Sequence, residues 1–139
     1  MSTAIHISES TSLALHSIAY MATKDSSVKA GEISKMTGAS EAHLSKVLQW
    51  LVKSKIIKSY RGPSGGFVLL KPPSKITLYD IFIIMEGAVD ENKCPLSRKI
   101  CPFNECIFNG VVTKLNREFI DYLKKNTIEN FTKRNKKGG

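Results

Sequence analysis

The chain has 139 residues, a formal net charge of +9, 42% hydrophobic residues and three cysteines. That length suits one compact domain with an appendage, and the apolar fraction is ordinary for a globular fold. No apolar run approaches a membrane span, and the opening MSTAIHISES has neither the basic nor the apolar region of a secretory leader, so a cytoplasmic protein with reduced thiols and no membrane partner is expected.

The first helix is expected from about Ser8 to Ala22, with Leu13, Ile18 and Met21 on its apolar face and Ala14 and Ala19 allowing close approach. Lys24-Asp25-Ser26-Ser27 breaks it. A short helix over about Ala30 to Met36 ends at Gly38, which supplies the left-handed geometry of a helix terminus. Ser40 then caps a helix over Glu41 to Lys53, whose Leu44, Val47, Leu48, Leu51 and Val52 keep helical spacing. Two helices joined by so short a turn form a helix-turn-helix.

Ile56, Ile57 and Tyr60 lie in strand-favouring sequence, Arg61-Gly62-Pro63-Ser64-Gly65-Gly66 is a turn, and Phe67-Val68-Leu69-Leu70 is a second strand. The pair reads as a β-hairpin wing. Its glycines at 62, 65 and 66 permit close backbone approach to a surface. No Lys-Ser/Thr pair or helix start follows them, which argues against a nucleotide-binding loop. Thr77 and Asp80 form a capping box for a strongly apolar helix containing Leu78, Ile81, Phe82, Ile84 and Met85, expected to pack on the first helix. A long helix is expected from about Glu105 to Lys125, with Ile107, Val111, Leu115, Phe119 and Tyr122 or Leu123 forming a stripe suited to pairing with a second copy of the chain. The basic tail from Lys133 to Lys137 is read as frayed.

The fold class is therefore mainly α with a small β-hairpin: a winged helix-turn-helix domain plus a long C-terminal dimerisation helix. The divisions are 1–87 for the DNA-binding domain, 88–106 for a cysteine-containing loop, and 107–139 for the dimerisation helix and basic tail.

Charge and motif then point to chemistry. Between Lys29 and Lys75 stand nine Lys or Arg against Glu32 and Glu41, so this segment carries most of the positive excess and is suited to phosphate backbones. At the start of the recognition helix, Glu41, Ala42, His43, Ser45 and Lys46 are placed to reach base edges. Ala42 suits a thymine methyl, Ser45 a flexible hydrogen bond, and Lys46 a guanine or a phosphate. In the wing, Arg61 with Gly62, Pro63 and Ser64 would face a narrow minor groove. Trp50 is read as a core or interface residue.

Cys94, Cys101 and Cys106 fall within thirteen residues, in a stretch rich in Pro, Asn, Lys and Arg. As thiolates they can converge on one metal centre, and an odd number cannot close into disulfides alone. A tetrahedral zinc or an iron–sulfur cluster normally takes four protein ligands, which leaves one to come from elsewhere or from a second chain. Enzymatic function lacks a basis. No Ser-His-Asp or Cys-His constellation is evident, and His6, His16 and His43 have no signature spacing.

The run from Gly31 to Gly87 followed by the clustered cysteines resembles the IscR/NsrR-type iron–sulfur winged-helix transcriptional regulators, over nearly the whole chain. The most specific pieces are Arg61-Gly62-Pro63-Ser64-Gly65-Gly66-Phe67, Ile76-Thr77-Leu78-Tyr79-Asp80-Ile81 and Glu86-Gly87. The resemblance implies a homodimer on a palindromic operator, more often repressing than activating. It also implies a 2Fe-2S or 4Fe-4S cluster that senses redox state, nitric oxide or iron–sulfur status, with Cys94, Cys101 and Cys106 on the ligand positions. Asn109 stands where the assembly regulators have a histidine ligand, and Ser12 where the nitric-oxide sensors have a carboxylate from the partner subunit. Glu9, one turn before Ser12, is the nearest substitute, with Glu105, Ser12 and His43 behind it. The rival is the same DNA-binding fold with a thiol–disulfide or zinc switch.

Overall fold

The structure is a computed structural model and describes residues 5–89 and 101–135. The chain order is α1 (Glu9–Ala22), α2 (Ala30–Thr37), α3 (Glu41–Lys53), β1 (Ile57–Tyr60), β2 (Gly66–Leu69), α4 (Leu78–Glu86), α5 (Val111–Lys125) and α6 (Ile128–Arg134), with a 3-10 turn at Pro73–Lys75. This is the expected winged helix-turn-helix with a helical C-terminal part. No helix among the described residues is long and apolar enough to cross a membrane.

Each element starts where its polar signals stand. The Ser8 side chain accepts from the Thr11 amide to open α1, and Ser40 accepts from the His43 amide to open α3, each removing an otherwise unpaired N–H from a helix start. Gly38, at φ 77°, ends α2 in the left-handed region, and its amide donates to the Ser34 carbonyl. At α4 the capping box is reciprocal: the Thr77 amide donates to Asp80 Oδ2 and the Asp80 amide to Thr77 Oγ1, both at 3.0 Å.

The core lies where α1, α2 and α3 meet the hairpin and α4. Ile18, Ile33, Leu44, Leu48, Leu51, Ile57, Ile76 and Ile81 are fully buried there. Removing so many large aliphatic side chains from water, at about 1.5–3 kcal/mol each, holds the three-helix unit together and fixes the direction of α3. The antiparallel hairpin pairs Ile57 with Leu69 and Tyr60 with Gly66. A third, short pairing ties it to the segment before α2: the Val28 amide donates to the Phe67 carbonyl at 2.9 Å and the Phe67 amide to the Val28 carbonyl at 2.8 Å.

Two features of the C-terminal part differ from expectation. The long helix begins at Val111 rather than near Glu105, because Asn109 (φ 50°) and Gly110 (φ 76°) are both left-handed, and two such residues interrupt a right-handed helix. The second is α6. A helix not expected from the sequence runs over Ile128–Arg134 and takes in Lys133 and Arg134 of the stretch read as a frayed tail; it is started by a Thr127–Asn130 capping box and anchored by Ile128, which is buried in the main core. The Ile128 amide donates to the Ile76 carbonyl and the Leu78 amide to the Asn126 carbonyl, both at 2.9 Å, so α6 is stitched to the start of α4.

α5 turns its C-terminal half onto α4. Ile120 and Leu123 are buried, and Phe119 meets Phe82 edge-on with ring centroids 5.7 Å apart. Its N-terminal half is different: Val111 is 51% exposed and Leu115 47%, and Ile107, just before the helix, is 91% exposed.

Candidate nucleic-acid interface and cysteine segment

The buried stripe of α3 is Leu44, Val47, Leu48 and Leu51, which turns the remaining positions outward. Ala42, Ser45 and Lys46 are exposed there, as the sequence indicated. Glu41 is also exposed, but its carboxylate lies over the first turn of α2, where a Cβ at Gly31 would sit 3.5 Å from Oε1. His43 is half-buried, with Nε2 3.2 Å from Ser10 Oγ of α1. Its ring therefore braces the start of α3 against α1.

Continuing along the outward face, Gln49, Trp50 and Lys53 join Ser45 and Lys46 around one shallow cleft of about 510 Å³. Trp50 is not in the core: it is 53% exposed. Helical spacing accounts for this, since Trp50 falls off the stripe set by Leu44, Val47, Leu48 and Leu51, so of the two expectations, core or interface, the core is excluded.

In the wing, Arg61, Gly62, Pro63 and Ser64 are all exposed at the tip of the hairpin. The Ser27 hydroxyl donates to the Ser64 carbonyl at 2.9 Å, holding the tip against the segment before α2. Lys58 Nζ lies 4.9 Å from the centre of the Tyr60 ring, so a cation and an aromatic face share one exposed edge of β1. The wing glycines divide by role. Gly62 (φ 104°) has open space where a side chain would stand, whereas a Cβ at Gly66 would lie 2.6 Å from the Val28 carbonyl oxygen. Gly65 is buried, and its own missing side chain would run into the backbone of Tyr60, Arg61 and Gly62. At these last two positions the close approach is to the protein's own backbone.

Of the three cysteines, Cys94 lies outside the described residues. Cys101 and Cys106 are exposed free thiols in the irregular segment before α5. The Phe108 amide donates to Cys106 Sγ at 3.4 Å, and the Asn109 amide to the Cys106 carbonyl at 2.8 Å, which folds the chain back around the sulfur. Amide donors at sulfur are a feature by which proteins tune thiolate-ligated clusters. Exposed thiols with such a donor fit a thiolate ligand set in type. They do not complete one: among the described residues no group of three or more His, Cys, Asp or Glu side chains converges. Glu9 stands at the first position of α1, on the edge of a cleft it shares with Ser12, His16 and the α2–α3 turn.

A helix-turn-helix with a basic outward face and a wing defines a DNA-binding protein. The Rrf2 family, described as iron-dependent transcriptional regulators, matches residues 7–134, and the chain belongs to that family. It is 34% identical over 126 residues, 88% of each chain, to a protein of Aquifex aeolicus (strain VF5) named as an HTH-type transcriptional regulator. It is 27% identical over 116 residues to the HTH-type transcriptional regulator IscR of Yersinia pseudotuberculosis, covering 84% of this chain and 67% of that one. Among solved structures, CymR, the global cysteine regulator of B. subtilis, superposes with a TM-score of 0.73 at 23% identity, covering 94% of this chain and 98% of that one. T. potens IscR superposes at 0.75 with 22% identity, covering 94% and 88%. The chain is accordingly a transcriptional regulator with a winged-helix DNA-binding fold, not an enzyme.

Proposed function

We propose that this regulator binds a palindromic operator as a homodimer and that its affinity for that operator is set by an iron–sulfur cluster held by Cys94, Cys101 and Cys106. Lys46 and Arg61 carry the DNA reading: both are exposed, one on the outward face of α3 and the other at the wing tip. Ala42 and Ser45 would read base edges, while Gly62, Pro63 and Ser64 would follow Arg61 along the minor groove. The exposed N-terminal half of α5 supports pairing of two copies, which would set two recognition helices about one DNA turn, ~34 Å, apart.

The cluster reading rests on the clustered thiols and on the Phe108 amide at Cys106 Sγ. When bound, such a group would tie distant parts of the 94–106 segment together by thiolate ligation. Glu9 of the partner subunit is the fourth ligand we propose. This chain's own part is to connect that segment to the DNA-reading unit: α4 leads into it and α5 leads out, α4 packs on the core that orients α3, and α5 packs on α4.

A second reading is a thiol or zinc switch on the same fold, favoured by two exposed cysteines in one short segment and by likeness in fold to CymR as well as to IscR. Protein purified without oxygen separates the two. A visible charge-transfer spectrum with matching iron and sulfide, and an operator affinity that differs between loaded and apo protein at one salt concentration, is the expected result. Colourless, iron-free protein that binds operator normally would overturn the cluster reading and leave the switch. A linked equilibrium requires the affinity difference, because a bound group shifts a two-state protein only by its differential affinity for the states.

A further inference from the structure

Trp50 is a large apolar side chain left half in water on the face that the proposed function assigns to DNA. We infer that its indole packs against the sugar-phosphate backbone of the duplex, beyond the base-reading turn of α3. This inference rests on the DNA-binding reading. A tryptophan 53% exposed in the last turn of α3 keeps an aromatic face open to a partner, and Trp is among the side chains most used at interfaces because one end is apolar and the other donates.

The rim identifies the occupant. Lys46 stands one turn before Trp50 and Lys53 three residues after it, with Gln49 beside it, around one cleft. After Glu41 the helix carries no acidic residue, and the side chains lining the cleft with Trp50 are neutral or cationic. A protein partner would have to bring acidic groups to this face, whereas a polyphosphate backbone brings them at every step. The indole N–H is a donor only, which suits an anionic oxygen, and the ring gives the deoxyribose a flat apolar surface. A wedge between base pairs is excluded by place, since inserted side chains enter from the minor groove and α3 is a major-groove helix. A second copy of this chain is better served by Val111 and Leu115, which offer an apolar stripe.

Trp50 is the sole tryptophan, so its emission reports on this contact alone. The experiment adds a labelled duplex of mixed sequence to the full chain at low salt, following DNA anisotropy and tryptophan emission together. The expected result is a change in emission, with protection from iodide quenching, at the same midpoint as the anisotropy. Trp50→Ala should weaken binding about 10-fold on all sequences while leaving the salt slope unchanged, whereas Lys53→Ala should reduce that slope by about 1. Trp50→Phe should retain most of the affinity. Normal anisotropy with unchanged emission, and a Trp50→Ala affinity equal to wild type, would overturn the inference and leave the DNA reading standing. Absence of any anisotropy change would overturn the DNA reading itself. Emission that shifts with protein concentration before DNA is added would place Trp50 in a protein–protein contact instead, overturning the inference.

Discussion

Glu86 and Thr11, 75 residues apart in sequence, meet at the junction of α4 and α1: Glu86 Oε1 accepts from Thr11 Oγ1 at 2.5 Å and from Ser8 Oγ at 2.7 Å. The carboxylate is the last residue of α4 and sits at the N-terminus of α1, where unpaired amides favour negative charge. Thr11 is fully buried, so its hydroxyl depends on this acceptor. The same end of α1 carries Ser10, which touches His43 of the recognition helix. The first turn of α1 thus holds both the end of α4 and the start of α3 through separate polar contacts.

Glu86→Ala should destabilise the fold by about 1–2 kcal/mol, less than a fully buried charged hydrogen bond because Glu86 is itself exposed. The hydrogen bonds from Thr11 and then Ser8 hold the Glu86 carboxyl below the ordinary glutamate range. A group whose folded value is depressed contributes stability above its unfolded value, about 4.3, and loses it as the pH falls through the lowered folded value. Urea unfolding at neutral pH and again in acid should therefore show the wild-type advantage over Glu86→Gln shrinking toward zero in acid. An advantage that persists or grows in acid would contradict the assignment.

The wing gives a paired comparison. Gly66→Ala forces a methyl to within 2.6 Å of the Val28 carbonyl oxygen at φ 145°, against backbone that is itself bonded to Phe67. Gly62→Ala meets nothing within 4 Å and suffers only its φ of 104°. Thermal melts should show Gly66→Ala losing about 3 kcal/mol and Gly62→Ala about 1 kcal/mol. Equal losses would mean that the Val28 contact does not restrict the turn.

The helix-turn-helix was legible because side chains mark its limits: Ser40 caps α3, Gly38 closes α2, and the apolar spacing from Leu44 to Leu51 requires one buried face. The start of α5 was missed although Asn109-Gly110 is a turn dipeptide whose two residues tolerate left-handed backbone, because the apolar spacing from Ile107 to Val111 outweighed that signal. The same holds for α6, where a single aliphatic residue, Ile128, does the anchoring among polar neighbours, and such a pattern carries no periodicity. Clustering made the cysteines conspicuous, but convergence in space is a tertiary property that spacing cannot supply. For Trp50, expected in the core or at an interface, its place off the buried stripe removes the first of the two.

The anchoring role of Ile128 is measurable. It is almost fully buried in the main core beneath α1 and α4, and its amide closes the link to Ile76. Ile128→Ala should cost about 2–4 kcal/mol, the range for a truncated core aliphatic that leaves a cavity. Ile128→Val should cost about 1 kcal/mol. Denaturant titrations of the two variants check the ratio. A change within about 0.5 kcal/mol for Ile128→Ala, typical of a surface substitution, would show that α6 is dispensable to the core.

The proposed homodimer can be tested at Leu115, which is 47% exposed one helical turn after Val111, itself 51% exposed, on a helix whose opposite end is packed on α4. In a two-fold interface each substitution acts twice, once from each subunit. With about half of the side chain left to bury, loss of about 0.7–1.5 kcal/mol of leucine burial per copy sums to roughly 1.5–3 kcal/mol, or about 10–10²-fold in the dimer dissociation constant. Leu115→Glu should convert a dimer in sedimentation velocity to a monomer with a nearly unchanged circular dichroism spectrum. Its operator affinity should fall with dimerisation, while weak binding to non-specific DNA persists, because each monomer keeps its own α3 and wing. A Leu115→Glu protein that still sediments as a dimer would move the interface away from this face of α5.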